Sequence, residues 1–400
     1  MAGFFAKFSR KDIHPAPNLV LGKKAQRKNE ERGMKEWREC RLSDVIELIG
    51  GGTPKTSIPE FWDGDIPWLS VVDFNNGKKY VSKTEKYITN NGLKNSSTKL
   101  LNKNDIIISA RGTVGVIAML SKPMTFNQSC YGIRAINDIS CNDFVYYLLK
   151  DTVSNFQQIA HGGVFDTITR ETFDNIDIFL PPLPKQKAIA GVLSSLDDKI
   201  DLLHRQNKTL EAMAEALFRQ WFVEEADKGW EVGLLGTMFE ISSGKGLKQT
   251  EMIENGQYPV LGANGQIGTA NSYLYCDKLI YTGRVGTLGK LFIIDDEKVW
   301  LSDNTLIFTK IKSFYFVYFL LKMQKLEELN VGSTQPLIRQ SDIKEIEILI
   351  PPKKLLEKYE SIAQILFEQI KANQTQIRAL EKLRDTLLPK LMSGEVRVDS

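Results

Sequence analysis

The stretch IDIFLPPLPKQ, residues 176–186, returns at residues 346–356 as IEILIPPKKLL. Each reads as a short strand, a double proline and the entry of a helix. Proline suits that entry because the first helical N–H groups have no partner within the helix. The register persists downstream, where LEAMAEALFRQWF (210–222) falls on LEKLRDTLLPKLM (380–392). The offset, 346 less 176, is 170 residues. Solenoid units are only ~20–50 residues long, so what repeats here is a whole domain with its connector.

The upstream sequence repeats in the same order. WRECRLSDVIELIGGGTP (37–54) is answered by WEVGLLGTMFEISSGKG (230–246), and DIIISARGTVGVIA (105–118) by KLIYTGRVGTLGKL (278–291). FVYYLLK (144–150) is answered by FVYFLLK (316–322). The offset narrows from 193 to 170, so loop lengths differ while the elements match. β-Branched runs separated by Asn/Gly clusters alternate with helical spacing. The expected fold is therefore α/β (α+β): two tandem related domains, 34–183 and 225–353. Two long helices would follow them, at 184–224 and at 354–394 with the tail. Residues 1–33 are basic, lack periodicity and read as a disordered arm.

In the first helix, positions 189, 193, 196, 200, 203, 207, 210, 214, 217 and 221 alternate by four and three and are mostly apolar. Positions 359, 363, 366, 370, 373, 377, 380, 384, 387 and 391 do the same in the second. Such spacing is a coiled-coil seam. Each seam holds one asparagine, Asn207 and Asn373. A parallel pairing at the repeat offset sets each amide against an aliphatic residue. An antiparallel pairing with aligned midpoints sets them against each other. An unsatisfied buried polar group costs about 1–3 kcal/mol, so the antiparallel register is expected. It places Arg384 opposite Leu196, with its head expected to reach solvent. The alternative is two amphipathic helices packed separately on their own domains.

Formal net charge is +3, but residues 1–38 hold ten Lys/Arg against four Asp/Glu, leaving the remainder at −3. Bulk charge thus makes no case for nucleic acid; local patches must. Four scattered cysteines without a C-x-x-C pair, and three histidines, argue against a zinc site and for a reducing, cytoplasmic setting. No apolar run reaches the ~18 residues of a membrane span, and no secretory signal is expected.

Catalytic motifs are missing. GRVGTLGKL (283–291) approximates a phosphate loop, but Gly283 stands one residue too far from Gly289 and Leu291 replaces the magnesium-holding hydroxyl. There is no nucleophile elbow, no H-E-x-x-H and no N/D-P-P-F/Y run of an adenine methyltransferase. What the chain does carry suits a polymer. Residues 73–99 hold six lysines against one Asp and one Glu, with Tyr and Asn interleaved. Lysines position phosphates, and Asn, Gln and Arg address base edges. The candidate DNA contacts are Lys55, Asn75, Asn76, Lys78, Lys79, Arg111, Asn127 and Gln128 in the first copy. In the second they are Lys245, Lys248, Asn264, Gln266, Arg284 and Asn304. A solvated lysine-rich loop, and arginines that tie down loops, are the alternatives.

These residues resemble the specificity subunit of Type I restriction–modification systems over essentially all of 34–398. The likeness is carried by GGGTP and SSGKG, IPWLSVVDF, IISARGTVG, NQSC, GGVFDTITRETFDNIDIFLPPLPKQKAIA and LLPKLMSGEVRV. The second copy departs from it, lacking the glutamine after its prolines. The resemblance implies two target-recognition domains related by a pseudo-twofold axis, each recognising half of a gapped site on double-stranded DNA. It implies a chain that is not itself an enzyme, docking two methyltransferase subunits and further restriction–translocase subunits. S-adenosylmethionine, ATP and Mg would belong to those partners, and no cofactor to this chain. The competing expectation is a coiled-coil scaffold bridging two proteins without touching DNA. Because shared features cannot encode two different half-sites, base readout is expected where the copies diverge, around 73–99 and 245–275.

Overall fold

A computed structural model describes residues 36–159, 167–285, 288–329 and 337–398. The basic arm 1–33 lies outside them. The chain divides into two compact units, one made by residues up to Leu202 with those from Gln376 onward, the other by Leu203–Thr375. The division falls inside both long helices.

The first unit contains β1 (Arg38–Arg41), β2 (Ile46–Gly50), β3 (Trp62–Leu69), β4 (Tyr80–Val81) and β5 (Lys86–Ile88). It continues with β6 (Ile106–Ser109), β7 (Ile117–Leu120), β8 (Thr125–Phe126), β9 (Cys130–Ala135) and β10 (Asp177–Leu180). Strands β2-β9-β6-β7-β4 form a five-stranded sheet, and β5-β3-β8 a three-stranded one. β1 pairs antiparallel with β10, tying the first residues of the domain to the strand before the double proline. The helix Asn142–Ile159 buries Phe144, Val145, Tyr147 and Leu149 against the sheet and the start of the first long helix. That core also takes in Leu388, Leu391 and Met392 from the end of the chain.

The second unit contains β11 (Glu231–Leu234), β12 (Glu240–Ser243), β13 (Tyr258–Gly262), β14 (Gly265–Ala270) and β15 (Leu279–Gly283). β16 (Leu291–Ile294), β17 (Trp300–Leu301), β18 (Thr305–Thr309) and β19 (Glu347–Ile350) complete it. β12-β18-β15-β16 form a four-stranded sheet and β14-β13-β17 a three-stranded one, while β11 pairs with β19. The helix Phe314–Met323 occupies the place of Asn142–Ile159 and is buried along nearly its whole length.

The first long helix runs Leu183–Arg219 and ends in a π turn, Gln220–Glu224; the second runs Lys353–Met392. In the second unit Asn373 Nδ2 donates to Asn207 Oδ1 at 2.8 Å, and Tyr359 donates to the Ala214 carbonyl. Partners fall in number as the first helix rises, so the segments are antiparallel in the expected register. Asn373 is only 4% exposed, and Gln369 donates to its oxygen, so the amide's acceptor and one donor are satisfied. In the first unit Arg384 pairs with Asp197 at 2.8 Å. Its side chain is 13% exposed, which corrects the expectation of a solvated head. Asp197 lies one residue beyond the seam position and supplies the partner that a purely apolar stripe conceals. Burial alone would lower the Arg384 pKa, but hydrogen bonds to Asp385 and Asp197 raise it. The seam is narrow near Asn207. Toward Glu224 it widens, so that Ala214, Phe218 and Phe222, spaced by four, are buried more fully than Leu217 and Trp221. A helix packing on a domain needs a broader apolar face than one zipped to a single partner.

Candidate nucleic-acid interface

Backbone hydrogen bonds fix which residues of the two copies correspond. Leu42 N donates to the Ile176 carbonyl, and Leu235 N to that of Ile346. Gly52 N reaches the Phe126 carbonyl, and Lys245 N that of Leu301. Asn127 N reaches Leu69, and Ser302 N reaches Leu261. The ends of β2 and β6 and the start of β9 therefore meet at one sheet edge, as do the ends of β12 and β15 and the start of β18.

That edge is a shared frame. A Cβ on Gly51 would lie 2.1 Å from the Asn127 carbonyl oxygen, and one on the corresponding Gly244 would lie 2.1 Å from that of Ser302. Both glycines are required because a neighbouring backbone passes too close for any side chain. The next residue's carbonyl is held by an indole in each copy: Trp68 Nε1 donates to Gly52, and Trp300 Nε1 to Lys245. The two tryptophans stand on different strands, β3 and β17, so one constraint is met by two routes.

The arginines do not correspond as the sequence suggests. Ala110 N donates to the Ser129 carbonyl, and Arg284 N to that of Asn304; Ile168 N reaches the Ala110 carbonyl, and Ile338 N that of Arg284. Arg284 thus matches Ala110, and Arg111 matches Val285. This one-residue shift reverses the strand face. Ala110 is buried and Arg111 exposed, while Arg284 is half-buried. Arg111 and Arg284, set opposite each other by the matching stretches DIIISARGTVGVIA and KLIYTGRVGTLGKL, are therefore not a shared feature.

Around this frame the copies diverge. In the first, β3 leads into the short helix Val71–Phe74 and β4, which adds a fifth strand beside β7. Asn75, Asn76 and Lys78 are exposed on this excursion, with Asn76 Oδ1 accepting from Lys78 N. In the second copy the excursion is missing, and β13 turns directly into β14 through Ala263 and Asn264. Asn264 and Gln266 are exposed there, beside Ile267 at 55% exposure. Asn264 Oδ1 accepts from Lys290, and Gln266 donates to the Gly268 carbonyl. The three-stranded sheets nevertheless agree: β3 pairs parallel with β8, and β13 parallel with β17.

Lys55, Gln128, Lys245, Lys248 and Asn304 are exposed at the loops of the shared edge. Thr53 donates to Gln128 Oε1, and Asn127 turns its Oδ1 onto Ser129 N. Lys79 is a correction. Only 8% exposed, it places its ammonium 2.9 Å from Asp143 and 2.7 Å from Ser194 Oγ, with Tyr147 at 5.1 Å. It ties β4 to the domain helix and the first long helix, and no longer belongs among candidate phosphate contacts. Between corresponding backbone positions the charge, Lys79 included, is unequal. Residues 52–126 hold ten Lys/Arg against six Asp/Glu, whereas 245–301 hold six of each.

Sequence reasoning passes over Arg170 and Gln340. Both lie where the chain enters a short helix, Arg170–Asp174 or Gln340–Lys344, and both reach the β2 or β12 end of the frame. The signal is present as TITRETF (167–173) against LIRQSDI (337–343), where the arginines stand one position apart.

The family model described as Type I restriction modification DNA specificity domain matches twice, at residues 34–212 and 227–382. The MjaIX specificity subunit of a Type I restriction enzyme from Methanocaldococcus jannaschii is 32% identical, covering 91% of this chain and 94% of that protein. The MjaVIII specificity subunit of the same organism is 25% identical over 91% and 93%. The crystal structure of a Type I restriction–modification S subunit from M. genitalium shares the fold, with a TM-score of 0.55 and 21% identity over 89% of this chain and 96% of that one.

Proposed function

The chain belongs to the Type I restriction–modification DNA specificity family, and from that premise we propose that it reads a gapped, two-part DNA site with one domain per half. The observation that carries this reading is one frame built twice around unlike excursions. A common frame presents the same backbone geometry to each half-site, and unlike side chains at its edge give each half its own sequence. The exposed lysines of 52–126 position phosphates, while the amides of both excursions face base edges. The two long helices set the distance between half-sites and offer the docking surface for two methyltransferase subunits, with restriction–translocase subunits joining through them. Methyl transfer to adenine and DNA cleavage belong to those partners, along with their S-adenosylmethionine, ATP and Mg; this chain binds none of them. Among the described residues no helix is long and apolar enough to cross a membrane, and a cytoplasmic site of action fits this role.

The test is co-expression with the cognate methyltransferase subunit and mapping of modified adenines. A single motif in two parts separated by a fixed gap is expected. Gel retardation of DNA carrying that motif, measured across a salt series, should show binding that weakens steeply with salt. Absence of any sequence preference would leave only a protein-bridging scaffold.

A further inference from the structure

Arg170 and Gln340 occupy one and the same slot of the frame. The equivalence is fixed by backbone: Ile168 N bonds the carbonyl of Ala110 as Ile338 N bonds that of Arg284, and each residue of interest lies two positions on. In the first copy the Arg170 guanidinium lies 5.9 Å from the centroid of the Tyr131 ring on β9. One of its terminal nitrogens comes 3.8 Å from where a Cβ of Gly50, the last residue of β2, would stand. At that distance a Cβ would be in ordinary contact, so the guanidinium lies alongside the end of β2. In the second copy Ser243 stands in the place of Gly50, and Gln340 Nε2 donates to its Oγ at 3.1 Å. Both side chains are thus oriented by a neighbour on the adjoining strand, yet they differ in what they offer. Arg170 is exposed and presents forked donors. Gln340 keeps a second N–H and its carbonyl oxygen uncommitted to Ser243.

A forked donor matches the two acceptors of guanine in the major groove, O6 and N7. A donor beside an acceptor matches N7 and the N6 amino group of adenine. We propose that this slot is a specificity-determining position, with Arg170 reading a guanine in one half-site and Gln340 an adenine in the other. The proposal rests on the reading of the chain as a two-part DNA-recognition subunit. It explains how one frame yields two preferences without altering its backbone. Ser243 and Tyr131 act as positioning residues for the slot.

The experiment exchanges the two readers. Arg170→Gln and, separately, Gln340→Arg are each co-expressed with the methyltransferase subunit, and modified adenines are mapped against wild type. Arg170→Gln should change one base of one half-site from guanine to adenine; Gln340→Arg should make the reverse change in the other half. In retardation assays with the purified complex, each variant should favour the new base over the old by roughly 5- to 150-fold. A gain of new preference cannot come from damage to the fold. Should Arg170→Gln not assemble, Arg170→Lys is the second variant, expected to keep the guanine with weakened discrimination. An unchanged motif, or uniform weakening across sequences as a phosphate contact gives, overturns the slot assignment while the two-part reading stands. A wild-type complex with no two-part motif defeats that broader reading instead.

Discussion

The domain helices of the two copies meet their own connector helices at corresponding points by opposite chemistry. In the first, Tyr147 donates to Asp197 at 2.6 Å, and Asp197 also receives Arg384. In the second, the matching residues are Phe319 and Phe367, whose ring centroids lie 6.1 Å apart. The helix entry differs in the same way. Gln186, fully buried, accepts from Cys141 N and donates to the Ile139 and Pro181 carbonyls. Leu356 stands in its place in the second copy, and Glu360 takes over the start of the domain helix, accepting from Tyr315 N and Phe316 N. Duplication preserved where the elements join and left free how each joint is satisfied. The missing glutamine noted in the sequence is thus a relocated cap.

The sharpest way to break this comparison is to strip the polar joint. Arg384→Met leaves Asp197, whose side chain is 8% exposed, without its cation. It should destabilise the first unit by about 3–5 kcal/mol in urea denaturation. Phe367→Leu, which trims the half-buried apolar joint, should cost about 1 kcal/mol. Equal costs would mean that the joints are not energetically distinct.

Next comes the frame both copies share. Gly51→Val and Gly244→Val force a side chain against a carbonyl in each unit, and each should cost about 1–3 kcal/mol. A large loss for one and none for the other would contradict the common edge.

A smaller effect distinguishes the caps by pH. Burial raises the Glu360 carboxyl pKa above its usual value, against the opposing pull of its backbone donors. A raised folded-state pKa favours the protonated form, so its contribution is fully present below the unfolded value and is lost as pH rises through the folded one. The second unit should therefore lose stability over that window. Glu360→Gln should flatten the slope, whereas the neutral amide of Gln186 gives the first unit none. Denaturation midpoints across pH 4–7 check this, and a slope unchanged in Glu360→Gln counts against it.

Much of this architecture was legible because it recurs. The double prolines, the FVYYLLK and FVYFLLK helices and the asparagine of each seam all appear twice; periodicity places the last two on helices, and the prolines mark where the long helices begin. The glycines GGG and SSG mark a common turn, although only the structure shows that Gly51 and Gly244 are its obligatory members. Legibility failed where tertiary partners lie far along the chain. Lys79 looks like its exposed neighbour Lys78, and only Asp143 and Ser194, 64 and 115 residues away, reveal it as buried. Arg384 needed Asp197 for the same reason. Arg111 and Arg284 misled differently: matching letters in ARGTVG and GRVGTLG align the arginines, while strand pairing sets them one residue apart and on opposite faces.

The claim that unlike excursions on a common frame read unlike half-sites is tested most directly by mapping modified adenines for two variants of the co-expressed complex. Asn75→Ala with Asn76→Ala alters the first excursion, and Gln266→Ala the second. Each should relax a different half of the two-part motif and leave the other half intact. Relaxation of the same half by both, or of neither half by either, would contradict it.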